Sequence, residues 1–238
     1  MARPVPDVAL GARRFARQSG IHLPDTDYSR SVITEPASRA VGDAYHRLPS
    51  FDEGALPAYR AMREETGRQF DHMTAPRRKG GMGLDVEITK GDPYGSDGDI
   101  NKIYKELKHD VTHNNRIQAL STASTGGHPF FTNDENDQFR AVHDVFGHLG
   151  SGRGVDHNGE EAAFQKHSRM FSPLARQAMA TETRGQNSAL RNTGDFPEQK
   201  VALLPSHMQG LQFSKQGSAA DLVAAHQLAR KRSADQGV

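Results

Sequence analysis

The stretch Phe139-Arg140-Ala141-Val142-His143-Asp144-Val145-Phe146-Gly147-His148-Leu149-Gly150 decides how the rest of this chain is read. Two imidazoles flank an acid and a glycine at the end of an amphipathic helical pattern. Histidine is the commonest protein ligand for transition metals, so the stretch reads as a metal site. His143 and His148 are five residues apart, which on an ideal α-helix sets them about 140° from each other. They converge only if the helix ends or bends between them, and Gly147, which tolerates left-handed backbone, is expected to supply that break. The plainer alternative makes His148 a cationic C-terminal cap and His143 a core residue with satisfied nitrogens.

Outward from this motif, residues 121–134 read as a loop that delivers His128, Phe130 and Phe131 to the motif helix, with Thr132 or Asn133 as its N-cap. On the other side, Gly150 to Gly159 is too rich in glycine for regular structure and reads as a mobile lid or surface loop. Helices over Glu160–Phe171 and Pro173–Ala189 follow, the second opened by Ser172 as N-cap and Pro173 in its first turn. Its inward stripe runs into the polar run Thr181-Glu182-Thr183-Arg184. A carboxylate on a buried face is rare unless it is paired or holds a metal. Glu161 and His167, on the helix before it, are candidates to orient the imidazoles from behind. Arg184 and Gln186 are candidates to hold an anionic group, or to form a structural salt bridge.

Upstream, Leu56, Tyr59, Met62, Phe70 and Met73 predict a helix over Ala55–Met73, Leu84–Thr89 alternates as a short strand, and Asp97–Val111 reads as a further helix. The basic turn Arg77-Arg78-Lys79 reads as solvated loop, with an anion such as phosphate as its only natural ligand. His109 and His113 read as an exposed pair, because nothing nearby completes a metal shell.

Composition narrows the classes. The chain has 238 residues, 12 histidines and no cysteine, so any metal is held by nitrogen and oxygen ligands. Thirty basic against 29 acidic side chains give +1, which does not indicate nucleic-acid binding by bulk charge. Mean hydropathy is -0.72 and no apolar run approaches the length of a membrane span, so a soluble protein without membrane partners is expected. The expected fold is mostly α with a small β component, a single helical domain with long loops and extended termini. Residues 1–40 read as an N-terminal arm carrying a short helix over Val8–Gln18, 41–210 as the helical metal-binding domain, and 211–238 as a C-terminal helix (Ala219–Arg232) and tail.

His143, Gly147 and His148, with an acid at Asp144, resemble the His-Glu-x-x-Gly-His signature of the pterin-dependent aromatic amino acid hydroxylases. The likeness extends upstream through Gly127-His128-Pro129-Phe130-Phe131-Thr132-Asn133-Asp134-Glu135, similar to the approach to the same helix in that family. It implies a third iron ligand on a later helix, where Glu182 stands at a comparable distance, and so a two-histidine, one-carboxylate site for Fe(II) on His143, His148 and Glu182. The chain has no match to that family's pterin loops, so the resemblance carries over the iron and not the pterin. A wider likeness, from about Val41 to Pro205, is to a domain of phage and mobile-element polyvalent proteins; it implies a phage or prophage origin, in host cytoplasm or virion, and no particular reaction.

Three functions are then in play. The first is an Fe(II)-dependent oxygenase or hydroxylase, with Asp144 and Arg184 as the acting side chains beside the metal. The second is a zinc-dependent hydrolase on the same ligands. The third is a virion or capsid-associated protein with a structural or vestigial metal site, whose terminal arms bind protein partners. The substrate is not readable from the sequence.

Overall fold

A computed structural model describes residues 3–95 and 99–211. It is mostly helical, with one small sheet. Helix α1 (Pro6–Gln18) buries Val8, Gly11, Ala12, Phe15 and Ala16 along one stripe, and the Val5 amide donates to the Leu149 carbonyl at 3.0 Å. The expected N-terminal arm is therefore part of the core. Its apolar stripe needs no partner chain, because the end of the histidine motif covers it. Helix α2 (Glu35–Arg47), which straddles the expected boundary between arm and domain at residue 40, packs through Val41, Ala44 and Tyr45.

Helix α3 (Leu56–Thr74) has Pro57 in its first turn and spans two apolar clusters, with Tyr59 and Met62 in one and Met73 in the other. Strand β1 (Asp85–Thr89) pairs in parallel with β2 (Arg116–Leu120), in a register that sets Asp85 against Arg116 and Thr89 against Leu120. Parallel strands need a crossover, supplied here by α4 (Ile100–His109). The expected start of that helix at Asp97 lies outside the described residues. Strand β2 went unread because Arg116, Gln118 and Leu120 are only half-buried, leaving Ile117 and Ala119 as its inward face.

Helix α5 (Asn133–His143) begins with a capping box: Thr132 Oγ1 accepts from the Glu135 amide at 3.2 Å, and Glu135 accepts from the Thr132 amide at 2.9 Å. It runs without a break into a π-turn over Asp144–Leu149. Helix α6 (His157–Ser168), capped by Asp156, returns beside it. The expected helix over Pro173–Ala189 is three pieces in one rod: α7 (Pro173–Ala180), a π-turn over Thr181–Gly185, and α8 (Gln186–Thr193). The chain then closes over α2 and α3, where Val201 bridges to Phe51 and the Lys200 carbonyl lies 2.7 Å from the Tyr59 hydroxyl oxygen. No helix among the described residues is long and apolar enough to cross a membrane. The expected C-terminal helix over Ala219–Arg232 lies outside the described residues.

The polar run Thr181-Glu182-Thr183-Arg184 is buried, as its sequence oddity implied. Arg184 forms a bidentate bridge with Glu161, Nη2 to Oε1 at 2.6 Å and Nε to Oε2 at 2.8 Å, stacks 4.0 Å over Phe164, and donates to the Met208 carbonyl at 2.6 Å. This one guanidinium joins α6, the second π-turn and the C-terminal segment. Removing one member of a buried pair leaves the other charge uncompensated. Arg184→Met is expected to lower stability by about 3–5 kcal/mol in urea unfolding; a loss below about 1 kcal/mol would show that the bridge behaves as a surface pair.

Candidate metal centre

The π-turn makes the two histidines converge. A π-helix closes i→i+5 hydrogen bonds, so residues five apart stack on one face instead of splaying as they do in an α-helix. The His143 and His148 rings stand 5.2 Å apart, centroid to centroid, nearly perpendicular. Gly147 does not break the helix, and its φ is not positive. Its work is steric: a Cβ there would sit 3.1 Å from the His143 ring and 3.2 Å from the Ala163 Cβ, so glycine makes room for the imidazole and for α6 at once.

The third member of the cluster comes from α6. His143, His148 and Glu160 each offer an atom within 4.8 Å of the others, and this group can hold a metal ion. Nε2 of His148 lies 3.4 Å from Glu160 Oε1, and Nε2 of His143 lies 3.9 Å from Oε2, too far for a hydrogen bond. That His143 Nε2 is buried and has no hydrogen-bond partner among the described residues. A buried lone pair without a donor is costly unless something occupies it, and a cation between the three groups would do so.

The groups behind the ligands fix both tautomers. His167 Nε2 donates to Gln69 Oε1 at 2.9 Å, which leaves His167 Nδ1 as the acceptor for His143 Nδ1–H at 3.2 Å, and so leaves the His143 Nε2 lone pair facing Glu160. Burial first, then neighbouring His143, holds His167 well below its ordinary value, consistent with a neutral relay. His148 Nδ1 donates to the Gly154 carbonyl at 3.0 Å. The glycine-rich stretch, expected as a mobile lid or a surface loop, thus clamps His148. Gly159 makes the clamp possible, since a Cβ there would fall 1.9 Å from the Gly154 oxygen. Asn187 Nδ2, on α8, donates to Glu160 Oε2 at 2.9 Å.

Glu182, expected as the third ligand, is not in that group. It lines the same 1250 Å³ cavity, but Oε1 accepts from the Tyr59 hydroxyl at 2.7 Å and His128 Nε2 at 3.3 Å, and Oε2 accepts from Gln186 at 2.6 Å. The amides of Phe130 and Phe131 donate to His128 Nδ1, so the His128 proton sits on Nε2, facing Glu182. Glu182 is a carboxylate satisfied by neutral donors across the cavity from the motif. Arg184, expected to act beside the metal, does not line the cavity, because its guanidinium is spent on Glu161. Glu161 consequently orients no imidazole, whereas His167 does. Asp144 does line the cavity beside both histidines; burial first raises its carboxyl above the ordinary value, and His148 and His143 offset that only in part. His109 and His113 stack in the open with ring centroids 4.5 Å apart and, among the described residues, gain no third metal-ligating partner.

Glu160 was missed although a signal was present. Glu160 and His167 are seven residues apart, hence on one face of α6, and that is the face turned to His143. Comparison of the chain with protein-family models, curated proteins and solved structures returned no match.

Without a metal the site is an ion pair. Burial alone would depress His148, but the Glu160 charge and then Asp144 outweigh it and raise it to about 9. Burial alone would raise Glu160, but His148 and then His143 outweigh it and hold it well below the usual carboxylate range. The pair's stabilisation on the histidine side is fully present below the unfolded value of 6.5 and is lost as pH rises through about 9. A metal must displace the His148 proton. Metal affinity is therefore expected to rise about tenfold per pH unit up to a plateau near pH 9, with about one proton released per metal at pH 7 in calorimetry. Affinity that is flat between pH 7 and 9 would contradict the ion pair. His167→Phe, which keeps the ring volume and removes the acceptor for His143, is expected to weaken metal binding about 10–100-fold with the far-ultraviolet circular dichroism unchanged; unaltered affinity would make His167 mere packing.

Proposed function

We propose that this chain is a metal-dependent enzyme built on a mononuclear two-histidine, one-carboxylate centre, with Fe(II) as the metal and oxygenation of a substrate as the reaction. The observation that carries it is the convergence of His143 Nε2, His148 Nε2 and Glu160, with a buried ring nitrogen that has no protein partner, at the wall of a 1250 Å³ cavity. Three ligands on one side leave the cavity side open, the arrangement that suits a non-haem Fe(II) ion binding oxygen and substrate. The protein's own part is positional. Gly154, His167 and Asn187 hold the ligand atoms in place, and His148 gives up its proton when the ion enters. Phe139 and Leu190 supply apolar wall, which keeps part of the cavity dry.

A zinc-dependent hydrolase on the same three ligands is the second reading, and Asp144 is the observation that favours it. A cavity-facing carboxylate beside the first ligand, with its affinity for protons raised by burial, is suited to take a proton from a water at the open position. The two readings separate in one experiment. The protein is reconstituted anaerobically with Fe(II) and exposed to nitric oxide, and oxygen uptake is followed on mixing with air. An S = 3/2 nitrosyl signal and oxygen uptake, both lost in His143→Ala, are expected. Stoichiometric zinc after purification from metal-replete medium, with no nitrosyl signal from iron-loaded protein, would move the assignment to hydrolysis.

A further inference from the structure

The cavity that opens on the centre is lined by five carboxylates, Asp92, Asp144, Glu160, Glu182 and Glu198, and among the described residues Arg140 is its only lysine or arginine. That guanidinium is already engaged, Nη1 with the Leu120 carbonyl at 3.1 Å and Nη2 with Thr125 Oγ1 at 2.9 Å. Even with a divalent ion in place, the lining keeps a net negative charge. Four of the five acids accept hydrogen bonds: Asp92 from the Tyr94 amide, Glu160 from Asn187, Glu182 from Tyr59, and Glu198 from Ser50. Among the described residues none reaches Asp144, the acid next to the first ligand. Asp144 is half-buried, with His148, His143 and Arg140 as the positive charges near it, so its carboxylate is open to a partner that enters the cavity. Phe139, Leu190 and Phe196 add apolar wall along the same cavity.

We propose that the substrate of this centre is an organic cation, a protonated amine or guanidinium on an apolar body, whose charged end pairs with Asp144. The assignment rests on the metal-enzyme reading above. A substrate or cosubstrate carrying a free carboxylate or phosphate finds no uncommitted cation in the lining and is repelled by it. A cation finds the one lining carboxylate that accepts no hydrogen bond among the described residues, with Phe139 and Phe196 in the wall of the same cavity to cover its apolar part.

The test uses the full chain loaded with zinc, its stoichiometry measured first, and titrated calorimetrically at pH 7 with 2-phenylethylammonium, 2-phenylethanol and 3-phenylpropionate, three probes of one shape and different charge. The ammonium is expected to bind at least about tenfold more tightly than the other two. Asp144→Asn, still carrying one zinc, is expected to erase that preference. Tighter binding of the carboxylate, or an ammonium preference that survives Asp144→Asn, would overturn the assignment while leaving the metal centre standing, and would return Asp144 to a proton-handling role. A chain that takes up no zinc would remove the metal reading and this inference with it.

Discussion

His143 and His148 meet because the helix between them is wound with i→i+5 hydrogen bonds from Asp144 to Leu149, and every other feature of the centre follows from that extra residue in the turn. Wound as an α-helix, the same five-residue spacing would send one imidazole toward the cavity and the other about 140° away. The widened turn also thickens the helix where α6 crosses it, and Gly147 removes the side chain that would collide with Ala163. Close approach of α6 then carries Glu160 and His167, one turn-pair apart on a single face, to opposite sides of the His143 ring.

Packing so many polar groups below the surface is expensive, and the fold offsets the cost by satisfying them in closed sets. Glu161 and Arg184 neutralise each other between α6 and the second π-turn. Glu182 is held by Tyr59, His128 and Gln186. Gln69, His167 and His143 form a line of single hydrogen bonds that ends on an unused nitrogen. Other buried polar atoms, Gln69 Nε2 and Ser168 Oγ among them, also go without a partner among the described residues, but His143 Nε2 is the one that belongs to the His143, His148 and Glu160 group, and both His143 and Asp144 line the cavity.

The mostly helical fold with a small β component was legible because several helices carry their own caps and stripes, as with Thr132 and Glu135 on α5, or Ser172 and Pro173 on α7. That His143 and His148 belong to a group able to hold a metal ion was legible from their residue types. Its geometry was not, since nothing in the pattern from His143 to His148 distinguishes a helix that ends at glycine from one that widens into a π-turn. The third ligand went to Glu182 through a family resemblance, whereas the structure groups Glu160 with the histidines. The error at α6 was one residue of helical phase, about 100°, which separates Glu160, facing the imidazoles, from Glu161, facing Arg184. The N-terminal segment was misjudged for a different reason. Its Pro and Arg content looks like an arm, but the stripe Val8, Ala12, Phe15 is a core stripe whose partner surface lies more than a hundred residues later at Leu149, beyond the reach of local pattern.

The central claim is that His143, His148 and Glu160 share one cation. Anomalous diffraction from crystals of the metal-loaded protein, collected at the absorption edge of the added metal, tests it directly. The account predicts a single peak about 2.0–2.2 Å from His143 Nε2, His148 Nε2 and a Glu160 oxygen, with His148 Nδ1 still on the Gly154 carbonyl. A peak coordinated by Glu182 in place of Glu160, or no peak within about 3 Å of the two histidines, would contradict it.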